Sequence, residues 1–96
     1  MNPVARFNVD NFEEIVKEIG KTCHSEYLFD LEDAILNEIV ELLKTFPPSE
    51  ARAKLARIQE IIDLPASKFE PHVRPLLVSL KNSVKGGLFA ARIWME

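Results

Sequence analysis

Prolines divide this chain into segments whose apolar residues recur at helical spacing. Pro47 and Pro48 separate two such segments, and Pro65 follows the second. A proline inside a helix removes a backbone donor and disfavours helix in the residue before it, so each of these positions predicts a helix boundary. The stretch FPPSEARAKLARIQEIIDLP, residues 46–65, is therefore predicted to hold one helix, residues 49–63, between two sets of stops.

The N-terminal segment has the pattern of a surface helix with one buried face. Asp10 is placed to cap it, Glu13 follows at the spacing of a capping box, and Gly20 is placed to end it. Its apolar residues recur at the i, i+3, i+4 and i+7 positions of a helix: Phe12, Ile15, Val16 and Ile19. Residues 21–29 are predicted to connect it to the next helix.

The second helix, residues 31–45 with Asp30 as its cap, has a broad apolar face. About half of its circumference is apolar: Leu31, Ile35, Leu36, Ile39, Val40, Leu42, Leu43 and Phe46. A face that broad should contact more than one neighbour, so this helix is predicted to lie at the centre of the fold. The short Pro47–Pro48 connection predicts that helices 2 and 3 pack as an antiparallel hairpin.

Two prolines and two glycines shape the C-terminal part of the chain. Residues 70–74 are predicted to form a turn, because the prolines at positions 71 and 75 cannot share one helix. A fourth helix is predicted from Pro75 to Lys85, where Gly86-Gly87 ends it. The tail LFAARIWME is apolar nearly all round and is predicted to form a short fifth helix, buried on several sides by its own bundle or by another chain.

Together these segments predict an all-α fold in one domain, residues 1–96: a compact bundle of four helices plus a short C-terminal helix, with the hairpin of helices 2 and 3 at its centre. The composition agrees, since 47% hydrophobic and 28% charged residues are typical of a globular domain. The net charge of −3 hides an asymmetry, because residues 1–48 sum to −6 and residues 49–96 to +3. Such asymmetry is typical of a charged partner surface, or of two halves that face each other within one chain or between two.

The sequence shows no sign of secretion, of a membrane span or of reactive chemistry. MNPVARFNVDNFEEI contains no apolar leader, and no apolar run approaches the roughly 20 residues that span a bilayer. The single cysteine, Cys23, excludes an intrachain disulfide and fits a reducing compartment, so a soluble cytoplasmic protein is predicted. Cys23 and His24 lack the further ligands of a metal site, so no metal, no cofactor and no enzymatic activity are predicted.

The strongest candidate surface combines the apolar tail with a line of bases on helix 4. Tryptophan and arginine anchor protein interfaces more often than their frequency would suggest. The predicted partner-binding residues are Arg74, Lys81, Lys85, Leu88, Phe89, Arg92, Ile93 and Trp94. The chain is therefore predicted to be a small non-enzymatic protein–protein interaction module of the adaptor, regulator or inhibitor type. Its partner would be another protein or a second copy of itself, in a homodimer.

A helix-turn-helix regulator that binds DNA is the alternative prediction. Helix 3 would be its first element, DLPA its turn and residues 67–80 its recognition element, with Lys68, His72 and Arg74 at phosphates or bases. The two prolines inside residues 67–80 and the acidic net charge count against it, so no nucleic-acid partner is expected. The sequence also leaves open whether the apolar tail is core or interface.

Overall fold

A computed structural model of the chain describes residues 2–22 and 24–95, in which two 3-10 turns precede the first of four α-helices and two more separate the third helix from the fourth. The helices are α1 (Phe12–Lys21), α2 (Tyr27–Thr45), α3 (Pro48–Ile62) and α4 (Arg74–Met95). The 3-10 turns are Pro3–Arg6, Val9–Asn11, Ala66–Lys68 and Pro71–Val73. Those residues contain no strand, and the predicted all-α fold is confirmed.

Asn8, and not Asp10, caps the helical segment that leads into α1. The Asn8 side chain accepts hydrogen bonds from the backbone N–H groups of Asp10 (2.9 Å) and Asn11 (3.2 Å), and Asn11 Oδ1 accepts from the Asn8 N–H (2.8 Å). This reciprocal arrangement is a capping box, and it satisfies amides that would otherwise lack partners. The predicted cap at Asp10 is wrong because Asn8 has the extended backbone of a cap residue, whereas Asp10 already lies in the 3-10 turn.

α2 begins at Tyr27, earlier than the predicted residue 31. The backbone N–H groups of residues 27–29 donate to the carbonyls of residues 24–26 at 3.0–3.1 Å, so a turn leads directly into the helix. Leu28 is buried in this added turn, and fully burying a leucine is worth about 1.5–3 kcal/mol. The predicted cap at Asp30 is wrong, because Asp30 lies in the first turn and accepts a hydrogen bond from Asn2 Nδ2 (3.0 Å).

α3 runs back along α2 in the antiparallel direction. Leu42 and Phe46, near the end of α2, share a groove with Lys54 and Arg57 of α3. The Lys54 ammonium lies 4.6 Å from the centre of the Phe46 ring, close enough for a cation–π contact. These contacts agree with the predicted hairpin of helices 2 and 3.

α4 packs on α2 more extensively than any other pair of helices packs, and the two run parallel. Gly87 lies against Leu36, and further along both helices Trp94 shares a groove of about 190 Å³ with Leu43. Leu36 and Leu43 on α2 are separated by the same number of residues as Gly87 and Trp94 on α4. The two helices therefore stay in register over this length.

Gly86 and Gly87 lie inside α4 and do not end it. The C-terminal segment is helical, as predicted, but it continues α4 without a break to Met95. One buried stripe runs along the whole helix: Leu77, Leu80, Val84, Leu88 and Ala91. A glycine costs about 1 kcal/mol in a helix interior. Continuing the helix past Gly86 and Gly87 buries Leu88, and the free energy gained by that burial outweighs the cost of the glycines. The predicted helix end at Lys85 is therefore wrong, whereas α1 ends at Lys21, next to the predicted Gly20, although Gly20 does not have the positive φ of a left-handed cap.

The core draws on all four helices. Its largest fully buried side chains are Phe12, Ile15, Ile19, Leu28, Leu31, Ile35, Leu55, Ile58, Ile62, Leu77, Leu80 and Leu88. Phe69 and Val73, from the connection between α3 and α4, are buried as well. Among the described residues, none of the helices combines the length and the apolar character that crossing a membrane requires.

Gly86 and Gly87 provide a matched pair of substitutions. Gly86→Ala places a methyl group where the described chain has no atom within 4 Å, so helix propensity should raise the free energy of unfolding by about 1 kcal/mol. Gly87→Ala should raise it less, because the added Cβ would lie 2.8 Å from Leu36 Cδ2 and Leu36 must move. Urea denaturation followed by circular dichroism measures both. Equal gains would contradict the close α2–α4 contact, and a loss at Gly86 would contradict the continuous helix.

Candidate interaction surface

The large apolar side chains that the described residues leave exposed all lie on α2 and α4. They are Phe29 and Val40 on α2, and Val78, Phe89, Ile93 and Trp94 on α4. Since α2 and α4 are packed neighbours, these side chains belong to one layer of the fold. Exposed apolar surface concentrated in this way is typical of interaction sites.

The C-terminal half of α4 presents an apolar face to solvent. Phe89 and Ile93, 66% and 57% exposed, are one helical turn apart. Trp94 is 77% exposed and lies beside them on the side toward α2. Gly86 and Ala90 are exposed on the same side of the helix. We call Gly86, Phe89, Ala90, Ile93 and Trp94 the α4 apolar face.

Leu88 lies in the core and is not part of this surface. Its side chain has no exposed area, and Ala91 is buried beside it. The predicted placement of Leu88 at an interface is therefore wrong, because a partner could reach it only after α4 left the bundle. Within one chain the tail is buried on one side only and the opposite side faces solvent, so burial on several sides would require another chain.

Arg74 holds the connection between α3 and α4. Its Nε donates to the Phe69 carbonyl (2.9 Å) and its Nη2 to the Ser67 carbonyl (3.3 Å). One planar guanidinium thus links two carbonyls of the connection, a geometry that a single lysine ammonium cannot reproduce. Arg74 contributes to the fold, and two of its guanidinium nitrogens already donate hydrogen bonds within the chain.

Lys81 also belongs to the junction of α3 and α4. Its Nζ donates to the Leu64 carbonyl, just beyond the end of α3. Burial lowers the pKa of the Lys81 ammonium, and the nearby positive charge of Lys85 lowers it further. An ammonium that is partly desolvated and bonded to a backbone carbonyl is a structural group.

Lys85 and Arg92 are the two bases of the line that stay at the surface. Both are exposed on the edge of α4 that faces away from α2. Arg92 Nη2 reaches Gln59 Oε1 of α3 at 3.4 Å, a long contact between exposed groups. The predicted line of four bases is therefore divided, with two in the fold and two beside the α4 apolar face.

Acidic and basic halves of the chain meet at α1. Asp10 pairs with Arg57 at 3.2 Å, and Glu13 pairs with Lys68 at 2.7 Å. The hydrogen bond from Lys68 lowers the pKa of Glu13, and the charge of Lys17 adds to that effect. Part of the charge asymmetry is thus resolved within one chain.

α2 and α4 carry opposite charges that the fold leaves apart. The acids of α2 are Asp30, Glu32, Asp33, Glu38 and Glu41, against one base, Lys44. α4 has four bases and no acid. Within residues 2–22 and 24–95, no ion pair joins these two helices. Asp33 and Glu41 of α2 and Lys85 and Arg92 of α4 are exposed and remain available to solvent or to another molecule.

Val40 and Phe29 are surface residues that the sequence reasoning missed. The prediction placed Val40 in the broad buried face of helix 2 and Phe29 in a connection, yet they are 46% and 51% exposed on α2. Leu36 and Leu43, on the same side of the helix, are covered by α4, and Val40 lies just beyond that contact. A helical wheel shows that these positions share one side of α2, but it does not show how much of that side the neighbouring helix covers.

The recognition element of the DNA-binding alternative does not form as one helix. Residues 67–80 contain parts of two 3-10 turns, the segment between them and only the first turns of α4. Arg74, one of its predicted DNA contacts, donates to backbone carbonyls instead. A helix-turn-helix also needs a tight turn, whereas two 3-10 turns separate α3 from α4 here.

Metal-binding side chains do not converge in the described part of the chain. No group of three among its His, Cys, Asp and Glu residues is close enough to hold an ion. His24 Nδ1 lies 3.1 Å from Glu26 Oε1 at the start of α2. Cys23, the other half of the Cys23-His24 fragment, lies outside the described residues.

Arg74→Lys tests whether Arg74 stabilises the fold. Lysine keeps the charge, but its single ammonium cannot donate to the Ser67 and Phe69 carbonyls in the geometry of the guanidinium. The free energy of unfolding, measured by urea denaturation, should therefore fall by about 1 kcal/mol. Arg92→Lys on the same helix is the matched control and should change it by less than about 0.5 kcal/mol, because Arg92 is exposed. An equal effect at both positions would contradict the structural assignment of Arg74.

Trp94→Ala and Leu88→Ala separate surface from core on one helix. Trp94→Ala should change the free energy of unfolding by less than about 0.5 kcal/mol, since its side chain is mostly in solvent. Leu88→Ala should lower it by about 2–5 kcal/mol, the cost of a cavity in a packed core. Both are measured by urea denaturation at low protein concentration. A large loss for Trp94→Ala would place the tryptophan in the core.

The candidate surface thus consists of the α4 apolar face with Lys85 and Arg92 at one edge. At the other edge lies α2, with Val40 exposed and with several acids. The surface combines apolar area with both signs of charge on two rigid helices. No family model, no curated protein and no solved structure matches the chain.

Proposed function

We propose that this chain is a small non-enzymatic protein–protein interaction module, of the adaptor, regulator or inhibitor type, that binds its partner through the α4 apolar face. The observation that carries the proposal is the exposure of Phe89, Ile93 and Trp94 on a helix whose opposite side is buried. These side chains offer area for binding, and none of them is a nucleophile, an acid or a base. The proposal is therefore recognition, not catalysis.

Burying this face on a partner supplies binding free energy at a low cost in conformational entropy. Apolar area removed from water is worth about 25 cal/mol per Å². Aromatic anchors of the kind that Phe89 and Trp94 provide are typical of the few residues that dominate binding. The buried stripe holds α4 along its length, so binding does not have to order its backbone.

Lys85 and Arg92 favour a partner with acidic side chains near its apolar contact. Cations at the rim of an interface accelerate association with an acidic surface and disfavour a basic one. Leu88, Arg74 and Lys81 do not belong to the proposed surface, because each already has a place in the fold.

The double variant Phe89→Ser, Ile93→Ser should lose its partner and stay folded. The tagged chain is immobilised and exposed to an extract of its source cells, and the retained proteins are quantified by mass spectrometry. The matched control is Ala53→Ser, at an exposed apolar position of α3 outside the layer formed by α2 and α4. Proteins retained by the wild type and by the control, but not by the double variant, are the expected result.

Two outcomes would count against this proposal. If no protein is retained by the wild type in preference to the double variant, the α4 apolar face does not bind a partner. If the double variant loses its helical circular dichroism, Phe89 and Ile93 support the fold and are not free for binding.

A further inference from the structure

We propose that the occupant of this surface is a second copy of the chain, with α2 of each copy packed on α4 of the other about a two-fold axis parallel to the helices. The inference rests on the proposed function, because it uses the same α4 apolar face. It adds the exposed side of α2 as the other half of the surface. A two-fold contact of this kind is self-complementary and closes at two copies.

Charge is the first argument for this pairing. The charges that the fold leaves in solvent are acidic on α2, at Asp33 and Glu41, and basic on α4, at Lys85 and Arg92. Within the described ranges 2–22 and 24–95, the fold makes no ion pair between these two helices. Two copies that place α2 on α4 bring an acidic helix against a basic one twice, so the chain complements itself.

Apolar surface is the second argument. Each of the two helices contributes exposed apolar side chains to the layer: Phe29 and Val40 from α2, and the α4 apolar face from α4. Gly86 leaves the α4 backbone open, since no described atom lies within 4 Å of where its Cβ would be. A helix of the second copy can therefore approach α4 closely at this point.

The register of the pairing follows from its symmetry. A two-fold axis parallel to the helices keeps every residue at its own height along the bundle. α2 therefore meets α4 of the second copy with the alignment seen inside one chain, where Leu36 lies against Gly87 and Leu43 is beside Trp94.

At this alignment acids of α2 and bases of α4 lie at matching heights. Glu41 is level with Arg92 of the second copy, and Asp33 is within one residue of the level of Lys85 of the second copy. All four side chains are exposed. Val40 lies about two helical turns after Asp33 on the same side of α2, level with the turn of α4 that carries Ala90 and Ile93, so apolar side chains meet beside the charged ones.

The competing symmetric arrangement is disfavoured by like charges. If the two-fold axis were perpendicular to the helices, α4 would pack on α4 and α2 on α2. Lys85 and Arg92 of both copies would then share one edge, and the acids of both α2 helices the other. Like charges placed across an interface oppose association.

Light scattering after gel filtration, at low and at high salt, tests the pairing. The wild type should have twice the mass of one 11.0 kDa chain at low salt. Lys85→Glu with Arg92→Glu makes α4 acidic, and Asp33→Lys with Glu41→Lys makes α2 basic. Each double variant should raise the dimer dissociation constant by at least about tenfold, because it sets like charges across both contacts.

An equimolar mixture of the two double variants should restore the dimer. In the mixture, the acidic α2 of one variant meets the basic α4 of the other, and the basic α2 meets the acidic α4. Lys21→Glu with Arg52→Glu, at exposed positions of α1 and α3, is the control for net charge and should leave the dimer intact. Circular dichroism checks that every variant remains folded.

Either of two results would overturn the pairing without overturning the proposed function, which has its own test. A wild type that stays at 11.0 kDa at high protein concentration and low salt excludes self-association. If the Phe89→Ser, Ile93→Ser variant still loses a foreign protein that the wild type retains, the interaction module stands without the dimer. A wild-type dimer that both charge-reversed variants leave intact excludes the contact of α2 with α4.

Discussion

The fold depends on the packing of α4 against α2, the most extensive contact between any two of the described helices. Because Gly87 has no side chain, Leu36 fills the space beside the α4 backbone, and the two helices pack in parallel register. α4 is one helix of 22 residues and not two short ones, because burial of Leu88 outweighs the cost of Gly86 and Gly87 in the helix interior. The same helical repeat that buries Leu88 then turns Phe89 and Ile93 to solvent. The interaction surface is thus a consequence of the continuous helix.

The charges of the chain serve three separate purposes. Asp10, in the 3-10 turn before α1, pairs with Arg57 of α3, and Glu13 of α1 pairs with Lys68 of the connection that follows α3. Arg74 and Lys81 bond backbone carbonyls of that connection, where the chain makes two 3-10 turns. Lys85, Arg92 and the acids of α2 remain in solvent, beside the exposed apolar side chains. Only this last group is free to determine which molecule binds.

Predictions succeeded where the chain's own local sterics decide the structure. Proline acts through its ring and its missing donor, so α3 was predicted at residues 49–63 and lies at Pro48–Ile62. Predictions failed where a distant contact decides. The start of α2 depends on the burial of Leu28, and the continuation of α4 through Gly86-Gly87 depends on the burial of Leu88. Glycine permits a helix end without requiring one, and no local signal shows which will occur.

Amphipathic spacing in the sequence alone determined that this chain is all helical and which segments have a single apolar side, because helix periodicity depends only on neighbours in the chain. It also marked Phe89, Ile93 and Trp94 as candidates for a surface. Only the tertiary structure decided which side of α4 is buried. A segment that is apolar nearly all round has no local preference, and the side that faces solvent is the one that α2 and α3 leave uncovered.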